Sequence, residues 1–292
     1  MSIRRYDGIV VGVDGSAESL AALDWAVRAA DVHEVPLTVV ATYSVPVAAG
    51  PGIGDLIDVM RDQAHRAADA ARARLAERHR DDAHIEVVIT AGDAANELSR
   101  RSRTSGMVVV GRRGLGKLDR MVLGSTSSAL AAITPGAVTV VPTGAATGDP
   151  RRIRVGVDRD EPDVLGASFA EAAVRDCPLE VLHVTDVTVA SSVISERGPD
   201  ASSRSEAAKA DLADRVKQWS EKYPQVTCTI VVRHGDAASV LLNGLAPDDL
   251  VVLGGRRHPR VTGRVLRSVP DALLRSAPCP VVIAHAQHDP HR

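Results

Sequence analysis

Three glycines followed by two hydroxyl side chains form the pattern in this sequence best suited to binding chemistry. Gly111, Gly114 and Gly124 stand in the spacing G-x2-G-x9-G after an apolar run, and Ser125 and Thr126 follow directly. Glycine tolerates positive φ and lets the main chain approach a ligand closely. The free N–H groups and the dipole at the start of a helix attract a phosphate. The pattern therefore predicts a phosphate site where Gly124, Ser125 and Thr126 begin a helix.

Two other interpretations of these glycines stay open. A glycine at a strand end and a serine or threonine at a helix start also serve as ordinary turn and capping residues. The stretch Gly111-x4-Gly116-Lys117 matches the beginning of a P-loop, but Leu118 stands where a P-loop needs Ser or Thr to hold Mg²⁺. The sequence therefore favours a phosphate loop of another kind.

Asp14 closes the first apolar run and is a second candidate for ligand contact. The run ends in Gly12-Val13-Asp14-Gly15-Ser16, which lacks the G-x-G-x-x-G fingerprint of dinucleotide-binding folds. At the carboxyl end of a strand, the Asp14 carboxylate can accept hydrogen bonds from a ligand hydroxyl or amine. It can equally cap the helix that follows, so both roles remain open.

The elements that must position these residues are strands and helices in alternation. Short β-branched runs alternate with segments of helical periodicity, which is typical of βαβ units in a parallel sheet. Ser16 is the predicted N-cap of the first helix, whose apolar stripe is Leu20, Leu23, Val27 and Ala30. Strands are predicted at 9–13, 37–42, 84–90, 107–111, 138–141, 154–158, 181–185, 227–232, 250–254 and 281–284. Ligands of such folds bind beyond the carboxyl ends of the strands.

The sequence contains two copies of one unit, because four segments recur in the same order. The matches are VVGVDGS with RVGVDRD, LTVVATY with LEVLHVT, AGDAANEL with HGDAASVL, and VVVGRRG with VVLGGRR, at offsets of 142 to 144 residues. The small, polar stretch TGAATGDPR stands between the copies. We therefore predict a first domain at 1–142, a linker at 143–151 and a second domain at 152–292.

These motifs resemble the universal stress protein family, in a tandem form that covers nearly the whole chain. The family motif G-x2-G-x9-G-S/T is matched in full by Gly111, Gly114, Gly124 and Ser125, and its first-strand aspartate by Asp14. The resemblance implies an α/β fold of two repeated five-stranded parallel-sheet domains. Each domain would have Rossmann-like α/β/α layering of the adenine-nucleotide alpha hydrolase type.

The same resemblance implies a ligand, ATP accompanied by Mg²⁺, and a role for each matching residue. Val13 and Thr42 would flank the adenine. Asp14, Gly111 and Gly114 would meet the ribose side. Gly124, Ser125 and Thr126 would hold the phosphates.

The second half departs from this motif. Gly254 keeps the first glycine, but Arg257 and Arg267 replace the other two, and only Ser268 remains of the Gly-Ser pair. Asp158 and Val184 retain the strand-end and adenine-side positions. The resemblance therefore implies at most a weaker site at Asp158, Val184, Gly254 and Ser268, beside a loop rich in arginine.

Composition excludes several classes of function. Lys+Arg 35 against Asp+Glu 37 gives a net charge of −2, and six aromatic residues offer few stacking platforms, so nucleic acid is not an expected partner. No apolar run approaches the ~18 residues of a membrane span. Cys177, Cys228 and Cys279 are far apart and predict neither a disulfide nor a metal site. We expect a cytoplasmic protein with inert thiols and no metal site of its own.

The leading hypothesis is a regulator of stress response or dormancy that binds ATP without turning it over, acting through unknown protein partners. A slow Mg²⁺-dependent ATPase using Asp14 or Asp119, a sensor of a cyclic or monophosphate adenine nucleotide, and a scaffold with empty pockets are the alternatives. We also predict that strands 138–141 and 281–284 pair with each other, which would make the chain an internal pseudo-dimer. Further homodimerisation stays open.

Overall fold

Ten strands within the described residues form one continuous sheet. The computed structural model describes residues 6–45, 53–77, 84–114, 123–158, 162–185, 201–255 and 269–285. The strands are β1 (Gly8–Gly12), β2 (Leu37–Tyr43), β3 (Ile85–Ala91), β4 (Gly106–Gly111), β5 (Ala137–Val141), β6 (Arg152–Gly156), β7 (Leu179–Thr185), β8 (Cys228–His234), β9 (Asp249–Gly254) and β10 (Val281–Ala284). Their order across the sheet is β3-β2-β1-β4-β5-β10-β9-β6-β7-β8.

The two halves join edge to edge at the middle of this sheet. Strands within each half pair in parallel, whereas β5 and β10 pair antiparallel, with Val140 opposite Val281 and Val138 opposite Ile283. This pairing confirms the predicted internal pseudo-dimer. It also covers the edges that each half would otherwise expose.

Helices cover both faces of the sheet, as the α/β prediction requires. They are α1 (Ala17–His33), α2 (Ile53–Glu77), α3 (Ala94–Ser105), α4 (Ser125–Ile133), α5 (Pro162–Val174), α6 (Ala201–Lys222), α7 (Ala237–Leu242) and α8 (Val269–Ser276). Residues of α1, α2, α5 and α6 pack into one apolar core, and those of α3, α4, α7 and α8 into a second. None of the described helices is long and apolar enough to cross a membrane.

The first helix follows the local signals in its sequence. Ser16 is its N-cap, and the Ser16 side chain accepts a hydrogen bond from the Ser19 N–H at 3.2 Å. Of the predicted apolar stripe, Leu23, Val27 and Ala30 are buried, and Leu20 is half-buried against the same core. The prediction for this helix is therefore confirmed from its cap to its buried face.

Strand β6 is the clearest misplacement. The predicted strand covered 154–158, but β6 occupies Arg152–Gly156, and Arg152 pairs with Asp249 of β9 inside the sheet. The error arose because charged residues at this strand's start broke the apolar pattern. Asp158 consequently lies two residues beyond the strand, as Asp14 lies two residues beyond β1.

A buried ionic cluster joins α1 of the first half to α5 of the second. Glu171 lies 2.6 Å from Nε of Arg175 and 3.2 Å from Nε2 of His33, with all three side chains almost fully buried. The Arg175 guanidinium also lies over the Trp25 ring, 5.2 Å from its centroid. Burial alone would raise the pKa of Glu171, but Arg175 and His33 outweigh it and hold that pKa well below its usual range.

Candidate functional site

Most of the predicted first-half site lies at the carboxyl ends of three neighbouring strands, β1, β2 and β4. β1 pairs in parallel with both β2 and β4, so the three strands finish side by side. The N–H of Val13 donates to the carbonyl of Val40 at 2.9 Å and so carries the β1–β2 pairing past the strand's end. Val13 is buried and Thr42 half-buried, two residues beyond Val40 on the neighbouring strand.

Asp14 is fixed by the helix that follows it. Its Oδ1 accepts hydrogen bonds from the Ser16 N–H at 3.0 Å and from the Ser16 hydroxyl at 2.6 Å, while its own N–H donates to Oγ of Ser19 at 3.3 Å. The carboxylate therefore closes a turn in front of α1, whose N-cap is Ser16, so the turn role considered for Asp14 is confirmed and its capping of the helix is not. The hydrogen bonds from Ser16 hold the Asp14 side chain in one orientation.

Gly114 meets that carboxylate. A Cβ atom added at Gly114 would lie 2.2 Å from Oδ2 of Asp14, a distance no real side chain can adopt. The second glycine of the motif therefore lets Asp14 and the glycine loop approach closely, and a side chain there would require the Asp14 carboxylate to move. Sequence reasoning placed both residues in one site, but could not foresee that they touch.

The close approach of α1 explains why a glycine stands at position 111. A Cβ there would lie 2.8 Å from the main-chain carbon and the Cβ of Glu18 in α1. The Glu18 carboxylate in turn pairs with Arg113 of the glycine loop at 2.9 Å. Neither Gly111 nor Gly114 is among the described glycines with positive φ, so of the two properties of glycine considered for these positions, close approach of the main chain is the one in use.

Gly124 begins α4 as predicted. It is the N-cap residue, with φ −61° and ψ 151°, and it has no side chain to cap the first turn. Its N–H donates to the carbonyl of Arg112 at 2.9 Å, and an added Cβ would lie 3.1 Å from that oxygen. Ser125 is exposed and Thr126 half-buried at this helix start. Gly116, Lys117, Leu118 and Asp119 lie outside the described residues.

Sequence reasoning missed two residues that hold this loop. The Ser127 hydroxyl donates to the carbonyl of Gly111 at 2.7 Å, which ties the start of α4 to the end of β4. The guanidinium of Arg112 donates to the carbonyl of Ala277 after α8, and so reaches the other half. Burial lowers the pKa of Arg112, as does the neighbouring charge of Arg113. The run of hydroxyls at 125–128 hinted at Ser127, whereas nothing local marked Arg112.

The carboxyl ends of the corresponding strands in the second half keep the main-chain pairing of the first half but differ at the aspartate. The N–H of Val157 donates to Leu182 at 3.0 Å, as Val13 does to Val40, and Val184 and Gly254 are both half-buried there. Asp158 is exposed, and its main-chain carbonyl accepts a hydrogen bond from Arg215 at 3.1 Å. Arg257, Arg267 and Ser268 lie outside the described residues.

The cysteines have the environment of unreactive thiols. Cys177 and Cys279 are buried and Cys228 is half-buried. Burial raises the pKa of Cys177 and Cys228 to about 11 and that of Cys279 to about 12. A thiol with a raised pKa is protonated at neutral pH and weakly nucleophilic, so the environment of these cysteines agrees with the prediction of buried or inert thiols.

Comparison with known proteins matches the chain to one family over almost its whole length. The universal stress protein family model matches residues 5–142 and 150–285. A universal stress protein of Mycolicibacterium smegmatis is 34% identical over 287 residues, covering 94% of this chain and 96% of that protein. One from Mycobacterium tuberculosis is 33% identical over 292 residues, covering 96% and 98%.

A solved structure supports the fold. The crystal structure of a universal stress protein from Archaeoglobus fulgidus superposes with a TM-score of 0.66 at 16% identity. The superposition covers 96% of this chain and 98% of the other. The shared architecture therefore extends over both halves.

Proposed function

The chain belongs to the universal stress protein family, and from that premise we propose that its first half binds ATP with Mg²⁺ at the carboxyl ends of β1, β2 and β4. Bound nucleotide would set the conformation through which the protein regulates a stress response or dormancy. The protein would act in the cytoplasm, where ATP is available.

The contact between Asp14 and the glycine loop is the observation that carries this proposal. Ser16 holds Oδ1 of Asp14, and Oδ2 lies where a Cβ of Gly114 would be. A half-buried carboxylate held this way is preorganised to accept hydrogen bonds from ribose hydroxyls. Val13 and Thr42, on the β1 and β2 side, would flank the adenine, and Gly111 would complete the ribose side.

The start of α4 supplies the phosphate end. Gly124 leaves the first turn of the helix without a capping side chain. The main-chain N–H groups of Ser125 and Thr126 and their hydroxyls would donate to phosphate oxygens, in the favourable field of the helix dipole. Mg²⁺ would neutralise the phosphate charge as part of the bound nucleotide.

We propose further that the bound ATP is not turned over. Oδ1 of Asp14, one of the two carboxylates considered for a slow ATPase, is occupied by the N–H and hydroxyl of Ser16. Phosphate release that exceeds the rate in buffer and disappears in a binding-deficient variant would contradict this part of the proposal.

The test is an ATP titration by calorimetry, with mass spectrometry of any nucleotide released on denaturing the purified protein. Gly124→Asp adds a negative charge where the phosphates would lie. Aspartate is a favoured N-cap and φ −61° suits it, and its Cβ, 3.1 Å from the Arg112 carbonyl oxygen, requires the loop to shift by only a few tenths of an ångström, so the helix should still form. We expect one ATP per chain and a loss of affinity of about tenfold or more in this variant.

Gly148→Asp is the matched control. Gly148 is exposed, has ordinary φ, and has open space around it, so this variant adds the same charge away from the site. It should bind as the unmodified chain does. No ATP binding by the unmodified chain, or equal binding by all three proteins, overturns the proposal, whereas two ATP per chain would mean that the second half also binds.

A further inference from the structure

A cavity of about 1030 Å³ opens on the face of the second half that carries α7. Strands β6, β7 and β8 form its floor, and α7 with the residues after it forms one wall. The weaker-site residues Asp158, Val184 and Gly254 do not line it. The cavity is therefore distinct from the second-half counterpart of the proposed nucleotide site.

The cavity exists because α7 ends early. α3 has 12 residues, whereas α7, its counterpart, has 6. Arg154 donates to the carbonyls of Leu241 and Asn243 at 2.8 and 2.7 Å, and Arg152 to that of Gly244 at 2.7 Å. These two guanidinium groups bind the carbonyls at the end of α7. Because α7 is short, it does not cover the part of the sheet beyond its end.

Apolar side chains from three elements line the cavity. Leu182 of β7, Val231 of β8, and Val240 and Leu242 of α7 contribute to its lining. Its volume is that of a pocket for a drug-sized molecule, and it is widely open to solvent beside the edge strand β8. An organic ligand could therefore bury an apolar body there.

The charges around the cavity are mostly positive. Among the described residues, three guanidinium groups line it, and the one lining carboxylate, Glu180, lies 2.6 Å from Arg152 and 3.1 Å from Arg154. Arg233 is exposed at the end of β8, and its hydrogen bond goes to the main-chain carbonyl of Val232. No carboxylate among the described residues pairs with Arg233, so its guanidinium can pair with an anion.

We propose that this cavity binds an amphipathic organic anion. The apolar part lies against the side chains of β7, β8 and α7, and the anionic group pairs with Arg233. The proposal does not depend on nucleotide binding in the first half.

Two fluorescent probes with one skeleton test the cavity and its charge. Anilinonaphthalene sulfonate is an amphipathic anion, and N-phenylnaphthylamine has the same aromatic skeleton without the sulfonate. Both are titrated into the full chain by calorimetry and fluorescence. We expect the sulfonate to bind at one site per chain, more tightly than the neutral probe, and saturating ATP to leave it bound.

Thr229→Trp and Glu86→Trp locate the binding. Both residues are exposed, and they occupy corresponding positions on β8 and β3, but only Thr229 lines the cavity. Tryptophan suits an edge strand, so both variants should fold. Thr229→Trp should fill the cavity and weaken sulfonate binding about tenfold or more, whereas Glu86→Trp should leave it unchanged.

Arg233→Gln tests the charge, with Arg103→Gln as a control at an exposed arginine of α3. Arg233→Gln should weaken the sulfonate about fivefold, the size expected of one exposed charge pair, and leave the neutral probe unaffected. The proposal is overturned if the sulfonate fails to bind, if ATP displaces it, or if each variant behaves as its control does.

Discussion

The two halves share one sheet design but fill corresponding positions with opposite chemistry. Val10 and Val27 are buried apolar side chains of the first half, and their counterparts in the second half are Arg154 and Glu171, which are equally buried. The first half packs α3 over Val10, while in the second half Arg154 binds the end of a shorter helix. Buried charge in the second half therefore replaces packing with specific pairing, and Arg154 lines the cavity beside α7.

Replacing Glu171 with the first half's residue should have the largest effect on stability. Glu171→Val leaves Arg175 and His33 without their carboxylate in a buried site between the halves. Removing one member of a buried ion pair costs about 3 to 5 kcal/mol. Urea denaturation of the unmodified and variant chains measures this loss of unfolding free energy.

Val27→Ala, at the corresponding position of the first half, is the control. It removes two methyl groups without leaving a charge unpaired, so its cost should be smaller, about 1 to 2 kcal/mol. Equal losses in the two variants would mean that the charged cluster contributes no more than apolar packing does.

Replacing Arg154 should have a smaller effect, and a second substitution should restore part of it. Arg154→Val leaves the carbonyls of Leu241 and Asn243 without a donor and should destabilise the chain by about 2 to 3 kcal/mol. Arg152 continues to pair with Glu180, which limits the loss. The free energy of unfolding in urea gives the value.

The double variant Arg154→Val with Glu180→Thr completes the conversion to the first half's pair, Val10 and Thr38. Removing both members of a buried pair is less costly than removing one. The double variant should therefore lose less stability than the two single changes added together. Simple additivity would show that Arg154 and Glu180 are not coupled.

Local sequence signals predicted the strands and helices, but they did not predict the contacts between them. β-branched runs placed the strands to within one or two residues, and the largest shift is at β6, whose first residue, Arg152, lies outside the apolar run. Ser16 marked a helix start correctly because a cap depends on residues three positions apart. The end of α7 depends on Arg154, a residue far away in the chain.

The candidate site shows the same division. The motif identified Gly111, Gly114 and Gly124, yet the reasons for the first two are Glu18 and Asp14, which lie about 90 to 100 positions earlier in the chain. Arg112 reaches Ala277 in the other half. Such contacts follow from the packing of the whole sheet, and neither residue type nor spacing encodes them.

Acid should reveal the Glu171 cluster through a smaller, graded effect. Since the folded-state pKa of Glu171 is lowered, its contribution is fully present above the ordinary glutamate pKa of about 4.3 and is lost as pH falls toward the folded value. One such group should cost about 2 kcal/mol by pH 3. Many other carboxylates titrate in this range, so the informative quantity is the difference in unfolding free energy between the unmodified chain and Glu171→Gln.

Denaturant unfolding at each pH measures that difference. Because glutamine does not titrate, the difference should shrink as pH falls from 5 to 3. A difference that stays constant would mean that His33 and Arg175 do not stabilise the ionised carboxylate.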